Sequence, residues 1–218
     1  MLSKTKKITI TAMLCAIAYV MVAVGRVPVV LFLKYDPKDI VITLGGLILG
    51  PMTSCIVSVI VSFFEMLTLS ETGIWGLIMN IISTCSFACT AAFIYKKKHT
   101  LSGAVTGLIV GSAFTVAAMM LWNVLITPIY MGYPREAIIA LLLPAFLPFN
   151  LLKAGLNAGF TFLLYKPVIT ALRRSGYLET AKPAAEPARK NQFALWAVSG
   201  CLILLCAVII LILNGIIG

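Results

Sequence analysis

Apolar runs of about twenty residues, each long enough to cross a hydrocarbon core about 30 Å thick, recur along this chain. A backbone in lipid must satisfy its own N–H and C=O groups, so runs of this kind fold as helices. Of the 218 residues, 61% are hydrophobic and only 11% are charged, which makes the fold class an all-α polytopic membrane protein. The net charge of +10 does not point to nucleic acid, because the cations flank the apolar runs. Lys4, Lys6 and Lys7 precede the first run, and Lys96, Lys97 and Lys98 sit in a short loop. Lys166, Arg173, Arg174, Lys182, Arg189 and Lys190 surround a polar linker. If all of these lie on one side, the positive-inside rule makes that side the cytoplasm.

The first span covers Ile8 to Val24 and the fourth Ile74 to Tyr95. Between them, the 31 residues from Asp39 to Leu69 are long for one crossing and short for two. Parity decides for two, since only then do both lysine clusters face the cytoplasm, and Gly50-Pro51 marks the turn. Span five runs from Leu101 to Ile126 and span six from Ala137 to Tyr165. Residues 1–174 thus form a six-helix membrane core, 175–192 a Pro/Ala/charged cytoplasmic linker, and 193–218 an appended seventh transmembrane helix. The apolar stretch after "KTKK" is longer than a signal-peptide core and is read as a span.

All six cysteines sit in apolar runs and the one histidine, His99, follows a lysine triplet, so neither a disulfide framework nor a metal site is expected. Gly103, Gly107 and Gly111 form a small-xxx-small stripe on span five, for which intramolecular packing is the default reading. Ala12 and Ala16 form another such pair on span one.

Span six carries residues that do not belong in lipid. Asn150, Lys153 and Asn157 share one helical face by their i, i+3, i+7 spacing, and a charge near the centre of a span costs about 2.5 to 3.5 kcal/mol. Pro144 and Pro148 interrupt backbone bonding one to two turns earlier, favouring a bend where a cavity can open. Asn123 lies toward the outer end of span five, Asn80 within span four, and Glu65 toward the outer end of span three. Two readings compete. Lys153 is either structural glue, paired with Glu65 or with asparagines, or part of a polar pocket. A lysine with three donors beside asparagines, which both donate and accept, suits a flat ligand rich in carbonyls and ring nitrogens. The first outer loop, "GRVPVVLFLKYDPKDIV", mixes exposed apolar residues with Lys34, Asp36, Lys38 and Asp39; it is either a lid or a loop packed on helix ends.

Four stretches in this order carry a family likeness: "TAMLCAIA" in span one, "FLKYDPKDI" in the first outer loop, "SETG" between spans three and four, and "PFNLLK" in span six. On this six-helix frame the chain resembles the substrate-binding S components of energy-coupling factor (ECF) vitamin transporters, most of all the riboflavin-specific kind. The resemblance implies that Asn123, Asn150 and Lys153 contact an isoalloxazine ring and that the first loop, including Leu33 and Lys34, closes over it. Asp36 and Asn80 complete the candidate substrate-binding set. It also implies that Ala12 and Ala16 pack on a transmembrane coupling subunit, energised by two ATP-binding subunits. Riboflavin would be bound as transported substrate, with no cofactor. The seventh helix lies outside the family's six-helix pattern, and the loop reads "DPKDIV" where D-x-S-D-I-P is expected.

The rivals are an S component for another vitamin or flavin such as FMN, a proton-coupled carrier, a membrane enzyme and a structural membrane subunit. Glycine is nowhere followed by lysine, so the phosphate loop of an ATPase is absent and energy must come from partners or an ion gradient. A proton-coupled carrier would more usually show inverted halves and more buried carboxylates than Glu65. An enzyme would need a general base that these residues do not offer. The expected setting is a bacterial plasma membrane with a cytoplasmic N-terminus. In a cysteine-free background, single cysteines at positions 36 and 132 should therefore label from outside and one at 99 only from inside; external labelling at 99 would break the parity argument.

Overall fold

The computed structural model describes residues 3–30, 33–175 and 200. The expected linker beyond Ser175, and the expected seventh helix apart from Gly200, lie outside the described residues. Helices α1 (Lys4–Gly25), α2 (Lys38–Leu49), α3 (Pro51–Thr68), α4 (Gly73–Lys98) and α5 (Leu101–Leu125) follow in order. Two short helices, α6 (Thr127–Met131) and α7 (Arg135–Leu141), lead through a π-helical turn at Leu142–Phe146 into α8 (Leu147–Arg174). Antiparallel strands β1 (Val27–Val30) and β2 (Leu33–Tyr35) form a hairpin between α1 and α2. Five segments are long and apolar enough to span a bilayer, the last being the continuous stretch Arg135–Leu172. Among the described residues, the short helix α2 adds a sixth segment to these five, between α1 and α3.

Helix α2 is the exception among the passes and organises the others. Its 12 residues reach only about 18 Å, well short of the hydrocarbon thickness. It is tolerated because it is enclosed: every residue from Lys38 to Leu47 except Val41 is buried, against α1, α3, α4 and α8. The hairpin leads into α2 with Val29, Leu33 and Tyr35 turned into the protein and Val27 and Pro28 exposed. At the other end, Gly50 (φ 106°) adopts a conformation suited to glycine, and Pro51 opens α3 at a position where its missing N–H costs nothing. The two helices meet closely at Gly46, which lets Ser54 Oγ donate to the Ile42 carbonyl at 3.0 Å.

The glycine stripe of α5 packs internally, as read from the sequence. A Cβ on Gly107 would lie 2.7 Å from the Ala91 carbonyl oxygen, and one on Gly111 would lie 2.7 Å from that of Phe87. The backbones of α4 and α5 therefore approach more closely than any side chain permits.

One expectation is corrected. The apolar residues of the first outer loop are not generally exposed: Val29, Leu33 and Tyr35 are buried with Ile138, Phe146, Phe149, Leu152 and Leu156 in one cluster. Alternation along the strands turns these residues toward α7 and the start of α8. Leu31 and Phe32 lie outside the described residues.

Candidate functional site

Two prolines shape the wall of the site. Pro144 has no N–H for the carbonyl four residues back, and the helix widens into the π turn around it. Pro148 repeats the deficit at the start of α8, and two residues on the Asn150 amide donates to the Phe146 carbonyl at 2.8 Å. That bond fixes the amide and leaves its oxygen free to accept. Helix α8 then carries Lys153 one turn further along the same face.

These side chains border a cavity of about 320 Å³. Its walls come from the hairpin and the residues beside it (Arg26, Leu33, Lys34, Asp36), the end of α3 and its loop (Glu65, Ser70, Glu71, Thr72), and α4 (Gly76, Met79, Asn80, Ser83). The far wall is Met119 and Asn123 of α5, Tyr130 and Met131 of α6, and Phe149, Asn150 and Lys153 of α8. All the residues singled out as substrate-binding, Leu33, Lys34, Asp36, Asn80, Asn123, Asn150 and Lys153, thus line one space. Ala12 and Ala16 lie elsewhere, on the exposed side of α1, while Ala18 on the opposite side is fully buried. The pair is not consumed by packing among the described helices.

Lys153 does not pair with Glu65, which corrects the structural-glue reading in its detail. Its ammonium lies 3.3 Å from Asp39 Oδ2 and 3.5 Å from Ser83 Oγ. Asp39, placed in the outer loop by the sequence reading, stands in the first turn of α2 and is buried. Its two oxygens also accept from Thr84 Oγ1 at 2.6 Å and Asn157 Nδ2 at 3.2 Å. Asn157, the third member of the α8 face, in turn accepts from the Tyr35 hydroxyl at 3.0 Å and so ties the hairpin to the bundle.

Glu65 is taken by other partners. It accepts from Arg26, from Lys38 and, at 2.9 Å, from Asn80 Nδ2. Arg26 Nε also donates to Asp36 Oδ1 at 2.7 Å. Lys38 falls within the "DPKDIV" departure from the expected family pattern, and here it is wholly buried and bonded to Glu65. Sequence reasoning missed Arg26, Lys38 and Asp39. The available signal was limited to two charges, Lys38 and Asp39, opening directly onto an apolar run.

What remains for a ligand is specific. Asn123 Oδ1 accepts from Thr127 Oγ1 at 3.1 Å, leaving its N–H₂ to donate. Asn150 keeps an acceptor, and Lys153 keeps one of three donors beyond Asp39 and Ser83. Leu33, Met79, Met119 and Phe149 supply apolar walls, and thioethers adapt readily to a flat ring. No cluster of three or more metal-ligating side chains occurs among the described residues.

Comparison with known proteins supplies the family. The sequence model described as "ECF transporter, substrate-specific component" matches residues 6–165. The chain belongs to that family. Relatives of this S component include a "Riboflavin transporter FmnP" of Bacillus subtilis (strain 168), 29% identical over 163 residues that cover 69% of this chain and 85% of the relative. Another is a "Riboflavin transporter RibU" of Staphylococcus aureus (strain TCH60), 26% identical over 182 residues that cover 79% and 95% respectively. A solved structure reported as "Structure and mechanism of the S component of a bacterial ECF transporter" superposes with a TM-score of 0.66 at 25% identity, covering 79% of this chain and all of that one. The S component is therefore a multi-pass membrane transport protein and not an enzyme, and neither its family nor these relatives indicate a cofactor.

The buried pair makes a test. Lys153→Met strands the Asp39 carboxylate, a change that typically costs about 3 to 5 kcal/mol, so the ligand-free melting temperature should fall. Adding Asp39→Asn removes the stranded charge and should recover much of the loss. A double variant no more stable than Lys153→Met would show that the pair is not the coupling unit.

Proposed function

We propose that this S component binds riboflavin in the 320 Å³ cavity and delivers it inward in partnership with a coupling subunit and two ATP-binding subunits. The observation that carries this reading is the set of hydrogen-bonding groups left free by the protein's own network: a donor from Asn123, an acceptor from Asn150 and a charged donor from Lys153. The pyrimidine edge of a flavin alternates carbonyls with an N–H, and such an edge needs both donors and an acceptor. The naming of two relatives as riboflavin transporters supports the same ligand. Leu33 and Lys34 on β2, with Asp36 beside them, are the part of the first loop that covers the ligand, and Asn80 is a ligand-facing residue already steadied by Glu65.

Energy must come from outside the chain, which lacks a phosphate loop. The exposed Ala12/Ala16 step on α1 supports docking of a coupling helix, since two small residues one turn apart let backbones approach. The lysine clusters at the start of α1 and the end of α4 support a cytoplasmic N-terminus in a bacterial plasma membrane. Replacing Ala12 and Ala16 together by leucine should abolish riboflavin uptake by cells while the purified variant still quenches riboflavin fluorescence with near-native affinity. Equal loss of uptake and binding would contradict a docking role.

A further inference from the structure

The charges lining the cavity are all matched. Arg26 is bonded to Asp36 and Glu65, Lys153 to Asp39, and Lys34 to Glu71 at 2.9 Å. No lining cation among the described residues is left without a carboxylate. A ligand bearing a phosphate, with about −1.5 to −2 charges at neutral pH, would have to shed hydration without gaining a free cation in return.

The pairs differ in depth. The Lys153 and Asp39 side chains are 9% and 1% exposed, whereas Lys34 and Glu71 are 33% and 79% exposed. Lys34 and Glu71 therefore stand at the mouth, where Lys34 of the hairpin bridges to the α3–α4 loop. The hydrogen bond and charge of Lys34 hold the Glu71 carboxyl below its usual range, so it is ionised at neutral pH. A flavin whose polar ring edge meets Asn150 and Lys153 at the inner end directs its ribityl chain toward this mouth. The chain's terminal hydroxyl is the atom that carries the phosphate in FMN.

We propose that Glu71 is a specificity-determining residue that makes the site select the uncharged flavin over its phosphate ester, an inference that rests on the flavin reading above. Glu71 acts twice. Its carboxylate repels an incoming phosphate, and it occupies Lys34, the most exposed of the cavity-lining cations among the described residues. The "SETG" stretch, which contributes to the family likeness without an assigned task, thereby acquires one.

The test is titration of the purified full chain with riboflavin and with FMN, read as the ratio of the two dissociation constants. A general loosening of the site leaves that ratio unchanged. In the native chain riboflavin should bind the more tightly. Glu71→Gln frees Lys34 and should shift the ratio toward FMN roughly tenfold, the gain shrinking at high salt. Adding Lys34→Met should remove the gain. An unchanged ratio in Glu71→Gln, or a gain that survives Lys34→Met, overturns the role of Glu71 while leaving riboflavin binding intact. If the native chain binds neither flavin, the flavin reading itself falls and this inference with it.

Discussion

A lysine ammonium and an aspartate carboxylate taken out of water must find each other, because each alone costs several kcal/mol in a medium of low polarity. In this chain that requirement joins α8 to the first turn of α2 through Lys153 and Asp39. The helix dipole at the start of α2 also favours the carboxylate there. Thr84 and Asn157 supply the hydrogen bonds that make burial of the pair tolerable, and Tyr35 extends the network into the hairpin. A second group, Glu65 with Arg26, Lys38 and Asn80, fixes the same end of α2 to α1, α3 and α4. Four helices and the hairpin thus converge on one short helix through charges that neutralise one another.

The cavity follows from that arrangement. Since α2 is short, the space beside its first turn is bounded by helix ends and by the hairpin residues Leu33 and Lys34. The same side chains that satisfy the buried charges leave a few donors and acceptors over, already oriented. For the proposed ligand, binding would cost little reorganisation, because the network is already in place. An asparagine held by its own helix at Phe146, and another steadied by Thr127, present their remaining groups without conformational search.

Much of this was legible in the sequence, and the boundary is instructive. Span length and the Gly50-Pro51 break were enough to place the long apolar helices and the division between α2 and α3, because bilayer thickness and backbone hydrogen bonding leave few alternatives. Asn123, Asn150 and Lys153 stood out since polar groups in lipid demand a reason. The partner of Lys153 did not. Glu65 was the one acidic residue inside an obvious span, whereas Asp39 stood at the junction of the first outer loop and the next span. Its burial depends on how far α2 sits from the membrane surface, a distance set by the hairpin's path and by packing on four neighbours. No local pattern encodes that depth. The sequence left open whether the apolar residues of the hairpin form a lid or pack on helix ends, as they acquire a partner only when α7 and the bent start of α8 are in place.

The most direct measurement is identification of the small molecule released when the protein, purified from cells grown with ample flavin, is denatured. Mass spectrometry should find riboflavin at close to one per chain, with FMN well below it. A chain that releases no flavin, or a different vitamin in that proportion, would contradict the account.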